Sequence, residues 1–529
     1  MSSDTWDQGD LREFSRLDTE IARMVKGYEG GGVFSDTVFV PTAGNLRDLE
    51  SEIELKMGQV KQLKDDFWRS HLSSVLESFL FKVKCDTMLP YAFLSRNSSI
   101  LGSVVRAEST ALDEKLTIIR RRLSSVPAMV RAIKDLISSC PEVGRSQVAT
   151  TIPSFVGELK AAEQFVREHG ASEGTKKEVS TWLGDSLAAV SELAGVVREV
   201  PVSELEPVRI PFEESVLKGM QAPLDYILEW VEDDVEYRRK VFFDTAREID
   251  PNRDAYDLMN HGSVKYADAQ SLLRGMESLL AHMQSSARQY VDLPEGESCE
   301  VIATPDAYKM VCPTAMYMDA SDGGKVGKGF VCLNTDNLSA FSRASLEETT
   351  AHEVYPGHHT HFAVSATRNL PHTFKLSLPL SRLIIEGLAH RSEYLMIPHY
   401  VDPVSRLESA RRGWYCSTRV KTEVDLYHAR RPVKEMLQNY IENLNCTSYS
   451  ATGQMQAHLA YPADAISYYT GMRILEDIYR ESGLTQREFT NESFRYGNVA
   501  MATLRNIFSL PRPKRESLGN FVSGSLTRG

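Results

Sequence analysis

The sequence predicts a mostly α-helical protein with one small antiparallel β-sheet. Two observations predict it. Apolar residues recur at three- and four-residue steps through much of the first half, and one segment, 299–334, switches to short β-prone runs around a glycine-rich turn. The chain has 529 residues, 42% of them hydrophobic and 25% charged, which is ample apolar material for a large core and excludes wholesale disorder.

The elements follow in chain order. From Asn45, the stripe Leu46, Leu49, Ile53, Met57, Val60, Leu63 and Phe67 marks one helix face. Asn45 is its expected N-cap, with Asp48 in the first turn. The same spacing recurs across Leu112–Leu123 and at Trp182, Leu187, Val190, Leu193 and Val197. Gly27–Gly44 reads as a loop with a short strand, and Glu199–Pro211, with three prolines, as a connection. That connection suggests an N-terminal helical region, 1–205, and a second region, 206–529, or one integrated fold through both. Val301–Pro305 and Gly329–Asn334 flank the turn-rich Asp322–Lys328, the basis for the small sheet. The turn lacks the G-x-x-x-x-G-K-[ST] spacing of a phosphate-binding loop. Ser345-Leu346-Glu347-Glu348 then reads as a capping box that opens a helix.

Composition narrows the function classes. The net charge of -12, from 60 Lys+Arg against 72 Asp+Glu, argues against a nucleic-acid partner. Seven scattered cysteines without a C-x-x-C indicate neither a disulfide framework nor a zinc ribbon. The acidic start, Met1–Asp7, does not read as a signal peptide, and no apolar run approaches the ~20 residues that span a bilayer. The expectation is a cytoplasmic protein with no membrane partner.

Chemistry concentrates in His352-Glu353-Val354-Tyr355-Pro356-Gly357-His358-His359-Thr360-His361, where four of the 13 histidines fall in ten residues. In H-E-x-x-H, two histidines one turn apart hold a metal and the glutamate activates water. Here the i+4 position is Pro356. On an unbroken helix, His358 would lie far round the cylinder from His352, and His359 about 10 Å along the axis at ~1.5 Å per residue. Proline and glycine permit a kink at 356–357 that returns His358 to His352, with His359 the alternative ligand. His361 reads as peripheral. Glu386 stands in an otherwise apolar stretch, where a carboxylate is costly unless paired or metal-bound. It is the expected third ligand, with His390 and Glu393 on the same face as groups that orient the ligands.

The run H-E-x-x-P-G-H-H, followed by Glu386-Gly387-x-Ala389, resembles the domain of unknown function 885 family. The resemblance spans roughly 300–510 and extends weakly into the N-terminal helices. It implies a zincin-like, multi-helical metallohydrolase with a deep cleft and a small sheet beside the metal helix, loosely similar to carboxypeptidase Taq-type metallopeptidases. The family's P-G-Q-A-x-x-Y appears as Pro462-Ala463-Asp464-Ala465-Ile466-Ser467-Tyr468, and its Arg…His segment as Arg419 and His428, with different spacing. Leu388 stands where members carry tryptophan, and Ala463-Asp464 replaces Gly-Gln.

The implied activity is zinc-dependent hydrolysis of an amide bond in a short peptide or small molecule. His352, His358 and Glu386 would hold one Zn²⁺, with Glu353 as general base. Tyr468 and His428 would donate to the developing oxyanion, and Arg419 would bind a substrate carboxylate. Iron or manganese suits the same ligand types, so an oxidative iron enzyme is one alternative. A helical binding protein with a vestigial metal site is the other.

Overall fold

The computed structural model describes residues 6–30, 35–96, 100–106, 110–169, 172–202, 213, 215–305, 308–309, 312, 314–319, 328–460 and 463–521. The first half forms long helices: α1 (Gln8–Glu29), α2 (Ala43–Val60), α3 (Asp66–Met88), α4 (Leu112–Leu136), α5 (Glu142–Glu168), α6 (Glu173–Glu199) and α7 (Leu224–Ile249). The stripes read from the sequence bury as expected, with Leu46, Leu49, Ile53 and Val60 inward on α2 and Val190, Leu193 and Val197 inward on α6.

Two boundaries differ from expectation. Thr42, not Asn45, caps α2, because its hydroxyl accepts the Asn45 N–H at 3.1 Å and adds a turn upstream. The apolar stripe also does not run to Phe67 in one helix. Asp65 accepts the Phe67 and Trp68 N–H groups at 3.0 and 3.4 Å, so a new helix starts there and Phe67 belongs to α3. Asx capping competes with helix continuation, and here it won. Most of Glu199–Pro211, the expected connection, lies outside the described residues.

After α8 (Ala269–Ala287) come β1 (Ser298–Ala303), β2 (Ala315–Met318) and β3 (Lys328–Leu333). The expected sheet is present, but it is mixed rather than antiparallel. β3 lies centrally, parallel to β1 in the register Ser298↔Lys328 to Ala303↔Leu333 and antiparallel to β2 from Ala315↔Leu333 to Met318↔Phe330. Strand propensity marks extended segments but does not choose which neighbour each strand pairs with or in which direction. The Asp322–Lys328 turn lies outside the described residues except Lys328. Val331 and Leu333 pack with Leu272, Met276 and Met283 of α8 and with Leu346 and Ala351, so the sheet is fixed against the histidine-bearing helix.

That helix is α9 (Arg343–Glu353), followed by α10 (His358–Ala366), α11 (Pro379–Met396), α12 (Ser405–Glu423) and α13 (Ser467–Ser482). The main core joins residues from both halves, from Phe14 and Trp68 to Leu383 and Tyr469. α11 and α13 cross where glycine meets glycine. A Cβ on Gly387 would lie 2.6 Å from the Gly471 carbonyl carbon, and one on Gly471 would lie 2.1 Å from the Leu383 oxygen. This close approach brings Glu386, next to Gly387, toward Tyr468, one turn before Gly471. Among the described residues no helix is long and apolar enough to cross a membrane.

The crossing generates a prediction. Gly471→Ala should overpack the α11–α13 contact and destabilise the fold by about 1–3 kcal/mol, read as a lower midpoint in urea unfolding.

Candidate metal centre

The helix carrying the first histidine starts one turn earlier than its sequence suggests. Ser342 is the N-cap and Ser345 occupies N3, where each side chain bonds the other's backbone N–H. The expected box of Ser345 with Glu348 is therefore displaced by three residues, because serine serves at N3 as well as glutamate does here. Glu348 instead lies inside the fold with neither carboxylate oxygen hydrogen-bonded and Arg412 Nε 3.7 Å away. Burial, reinforced by the charge of Glu393, pushes its carboxyl up to about 8, so it is mostly neutral at pH 7.

The expected break falls at 354–357. α9 ends at Glu353, the Tyr355–Pro356 peptide is cis, and α10 opens at His358. At Gly357 a Cβ would lie 1.7 Å from the His352 carbonyl oxygen, so only glycine lets the chain fold back this tightly. The His352 and His358 rings come to 4.8 Å between centroids at 85°.

Glu386 meets them from α11. Its Oε2 is 3.5 Å from His352 Nε2 and 3.6 Å from His358 Nε2. Tetrahedral zinc ligands at ~2.0–2.1 Å from the ion lie about 3.3–3.4 Å from one another. The separations fit that requirement, and all three ligand atoms lie within 4.8 Å of one another. Glu386 Oε1 forms an ion pair with Arg382 Nη1 at 3.0 Å, whereas the buried Oε2 has no hydrogen-bond partner. A buried carboxylate oxygen left bare between two imidazoles suits a cation. Burial opposes its charge, but Arg382 and the two histidines hold its carboxyl well below the usual range.

Glu393 orients the first histidine. Its Oε1 lies 2.6 Å from His352 Nδ1 and accepts from Arg412 Nε at 2.8 Å, and its Oε2 lies 2.8 Å from His390 Nδ1. Glu393 keeps a proton on His352 Nδ1, so that loss of the other proton leaves an Nε2 lone pair facing Glu386 and His358, the usual carboxylate–histidine support of a metal ligand. Burial would lower the His352 pKa, but Glu386 and Glu393 raise it to about 9.

The remaining expected residues separate. His359 turns from the cluster: its Nε2 meets Glu297 Oε2 at 2.7 Å, next to the sheet. His361 is buried with Nε2 3.1 Å from the Gly497 oxygen. Tyr468 lies nearly parallel to His352, at 5.9 Å and 14°. Burial and the Glu386 charge push its hydroxyl up, so it stays a donor. The Arg419 guanidinium carbon sits 4.7 Å from the Tyr468 ring centroid. Arg419 does not pair with Glu423, which instead takes His458 Nδ1 at 2.7 Å and the Ala463 N–H at 3.0 Å.

His428 is a correction. It is exposed, in a π-helical turn, 3.0 Å from Glu213 Oε1, and does not line the cavity beside the cluster. The turn after α12 directs it to solvent, and the charged Arg430-Arg431 pair after it was the available signal.

A cavity of about 190 Å³ adjoins the cluster, lined in part by His352, Glu353, Arg412, Tyr415, Arg419 and Tyr468. Glu353 Oε2 accepts the Tyr317 backbone N–H at 2.9 Å. Sequence reasoning missed Arg412 and Tyr317, which reach the site from other elements. Arg382 was findable, four residues before Glu386 on one helix face. Pro462 of the P-x-x-A motif lies outside the described residues, while Ala463 has φ 67°, the left-handed backbone that favours the family's glycine. Asp464 accepts from Arg382 Nε at 3.0 Å.

Fold and site together define a multi-helical protein with a buried His/His/Glu cluster able to hold a metal ion. The chain belongs to the family described as bacterial protein of unknown function (DUF885), which matches residues 42–507. None of the curated proteins matches it. Its fold is shared with a proposed lipoprotein from Colwellia psychrerythraea, at TM-score 0.73 and 15% identity over 94% of this chain and 98% of that one. A proposed lipoprotein of unknown function from Shewanella oneidensis is similar at TM-score 0.69 and 14% identity, over 94% and 99%. These descriptions overturn the cytoplasmic expectation, which rested on a default from the first residues and not on a positive signal.

The raised His352 pKa predicts how metal uptake depends on pH. Its proton must leave before Nε2 can ligate, so apparent zinc affinity of chelator-treated protein should climb as pH rises from 6 toward about 9 and release a proton on binding. Competition titrations across that range check this; flat affinity would contradict it. In the same metal-free protein, the His352 contribution to stability is full below about pH 6.5, the unfolded value, and lost as pH rises through about 9.

Proposed function

We propose that the protein is a zinc-dependent hydrolase acting on an amide or peptide-like bond in a short peptide or small molecule. The observation that carries this reading is the bare Glu386 Oε2 between two imidazoles, with Glu353 following His352 in the chain and lining the adjoining cavity. His352 Nε2, His358 Nε2 and Glu386 Oε2 would hold the ion. When bound, zinc would supply a Lewis acid and lower the pKa of water toward ~7.

Glu353 takes the proton of the attacking water and passes it to the leaving nitrogen. The Tyr317 N–H holds its Oε2, while Oε1 has no hydrogen bond to the described residues. Tyr468, protonated and stacked beside His352, donates to the developing oxyanion. Arg419 binds a substrate carboxylate by a two-pronged hydrogen bond. Its Nε is buried without a partner, and no ion pair neutralises it among the described residues. A cavity of about 190 Å³ is smaller than the ~300–1,000 Å³ of drug-sized ligand sites, which favours a residue-sized group. His428, exposed and paired with Glu213, has no part in this scheme.

Metal analysis of protein purified without added metal, paired with an amide, ester and peptide panel, tests the reading. One equivalent of zinc and a turnover that falls about 10²–10⁴-fold in Glu353→Gln, with the fold retained, is the expected result. Iron in place of zinc, or no Glu353-dependent turnover, would sink it. For a substrate found this way, Arg419→Met should raise KM about 10–150-fold with kcat little changed when the substrate bears a carboxylate, and should do little to its amide analogue.

A further inference from the structure

The second histidine of the His358-His359 pair faces a different set of groups from the first. His359 Nε2 lies 2.7 Å from Glu297 Oε2, and Glu297 also accepts from the Tyr355 hydroxyl at 2.8 Å and from Gln284 Nε2 at 2.7 Å. With three donors converging on it, Glu297 stays ionised despite burial; burial raises its carboxyl, but the His359 and Tyr355 hydrogen bonds bring it below the usual value. His359 Nε2 therefore donates to Glu297, and Nδ1 faces the Tyr317 side chain. The Tyr317 hydroxyl shares a hydrogen bond with that nitrogen at 3.2 Å and lies 3.4 Å from Asp319 Oδ1. The Tyr317 ring is parallel to Phe362 of α10 at 5.9 Å and 11°.

Tyr317 thus does two things at once. Its side chain is bound to α10 through His359 and Phe362, and its backbone N–H holds Glu353 Oε2 at 2.9 Å. It sits on β2, an edge strand, whose outer side would otherwise be free to shift.

We infer that Glu297, His359 and Tyr317 form a relay of positioning residues that fixes edge strand β2 against α10 and thereby aims the Glu353 carboxylate at the His352/His358/Glu386 cluster. In the His-His pair, His358 is the ligand and His359 the anchor of the general base. The inference rests on the metal reading above and extends it, because it assigns a role to three residues outside the ligand set.

Cobalt-loaded protein tests this without a substrate. The pH midpoint of the visible cobalt bands reports proton loss at the ion's open position, and a carboxylate held close by raises that midpoint. Tyr317→Phe keeps the ring and the backbone N–H but cuts the link to His359. It should lower the midpoint by about 0.3–1 pH unit, the scale of one hydrogen bond. In a Glu353→Gln background the same substitution should leave the midpoint unmoved, since there is no carboxylate to aim. Gly329→Ala gives a second approach, because its Cβ would lie 2.5 Å from His359 Nδ1 and 2.7 Å from the Tyr317 hydroxyl, and it should shift the midpoint in the same direction. A wild-type midpoint in Tyr317→Phe would overturn the relay, as would a shift that persists without Glu353. Wild-type protein that takes up no cobalt would instead remove the metal reading, and the relay with it.

Discussion

Charge buried at one point sets the terms for the rest of the site. A carboxylate removed from water costs several kcal/mol unless its oxygens are answered by donors or cations. Glu386 has Arg382 on one oxygen and two imidazoles facing the other, and Glu393 has Arg412, His352 and His390. Opposite charges face each other at both ends of the cluster, Arg382 with Glu386 and Arg412 with Glu393. Glu348, the nearby acid without a hydrogen-bonded partner, remains mostly protonated instead. The His352–Glu393 contact fixes which imidazole nitrogen faces inward, so the orientation of the ligand atoms follows from the same electrostatic arrangement.

Packing makes that arrangement affordable. α11 delivers Glu386 and Glu393 from one face, one turn pair apart, and its glycine contact with α13 brings Tyr468 alongside. The small sheet packs against α8 and α9, and its edge strand reaches Glu353 with a backbone N–H. The site is therefore assembled from five helices, α9 to α13, and a strand, each buried for apolar reasons of its own. Such sites are better fixed than sites on loops, because the supporting side chains are already locked by packing.

Arg419 is the contrast to this balance. The other arginines of the site, Arg382 and Arg412, have carboxylates. Arg419 has no carboxylate among the described residues and lies over the face of Tyr468. A guanidinium left with an aromatic face and a cavity is suited to a ligand that brings its own negative charge.

Much of this was readable from the chain. The helical stripes, the break at Pro356–Gly357, the pairing of His352 with His358 and the anomaly of an acid at Glu386 all depend on local spacing and on the cost of burying a charge. These are properties that a linear pattern carries. The sequence left open whether His358 or His359 faces the cluster, since a one-residue rotation on α10 separates them and only neighbours decide it. It misplaced His428, because nine residues of helix and turn after Arg419 can end inside or outside the fold. It also read as antiparallel a small sheet whose β1–β3 pair is parallel, and it did not point to Arg412 or Tyr317. Those contacts join residues on different elements, 36 positions apart for Tyr317 and Glu353 and 19 for Arg412 and Glu393. Long-range pairing is chosen by how whole elements dock, through the summed burial of many side chains, and no short stretch of sequence contains that sum.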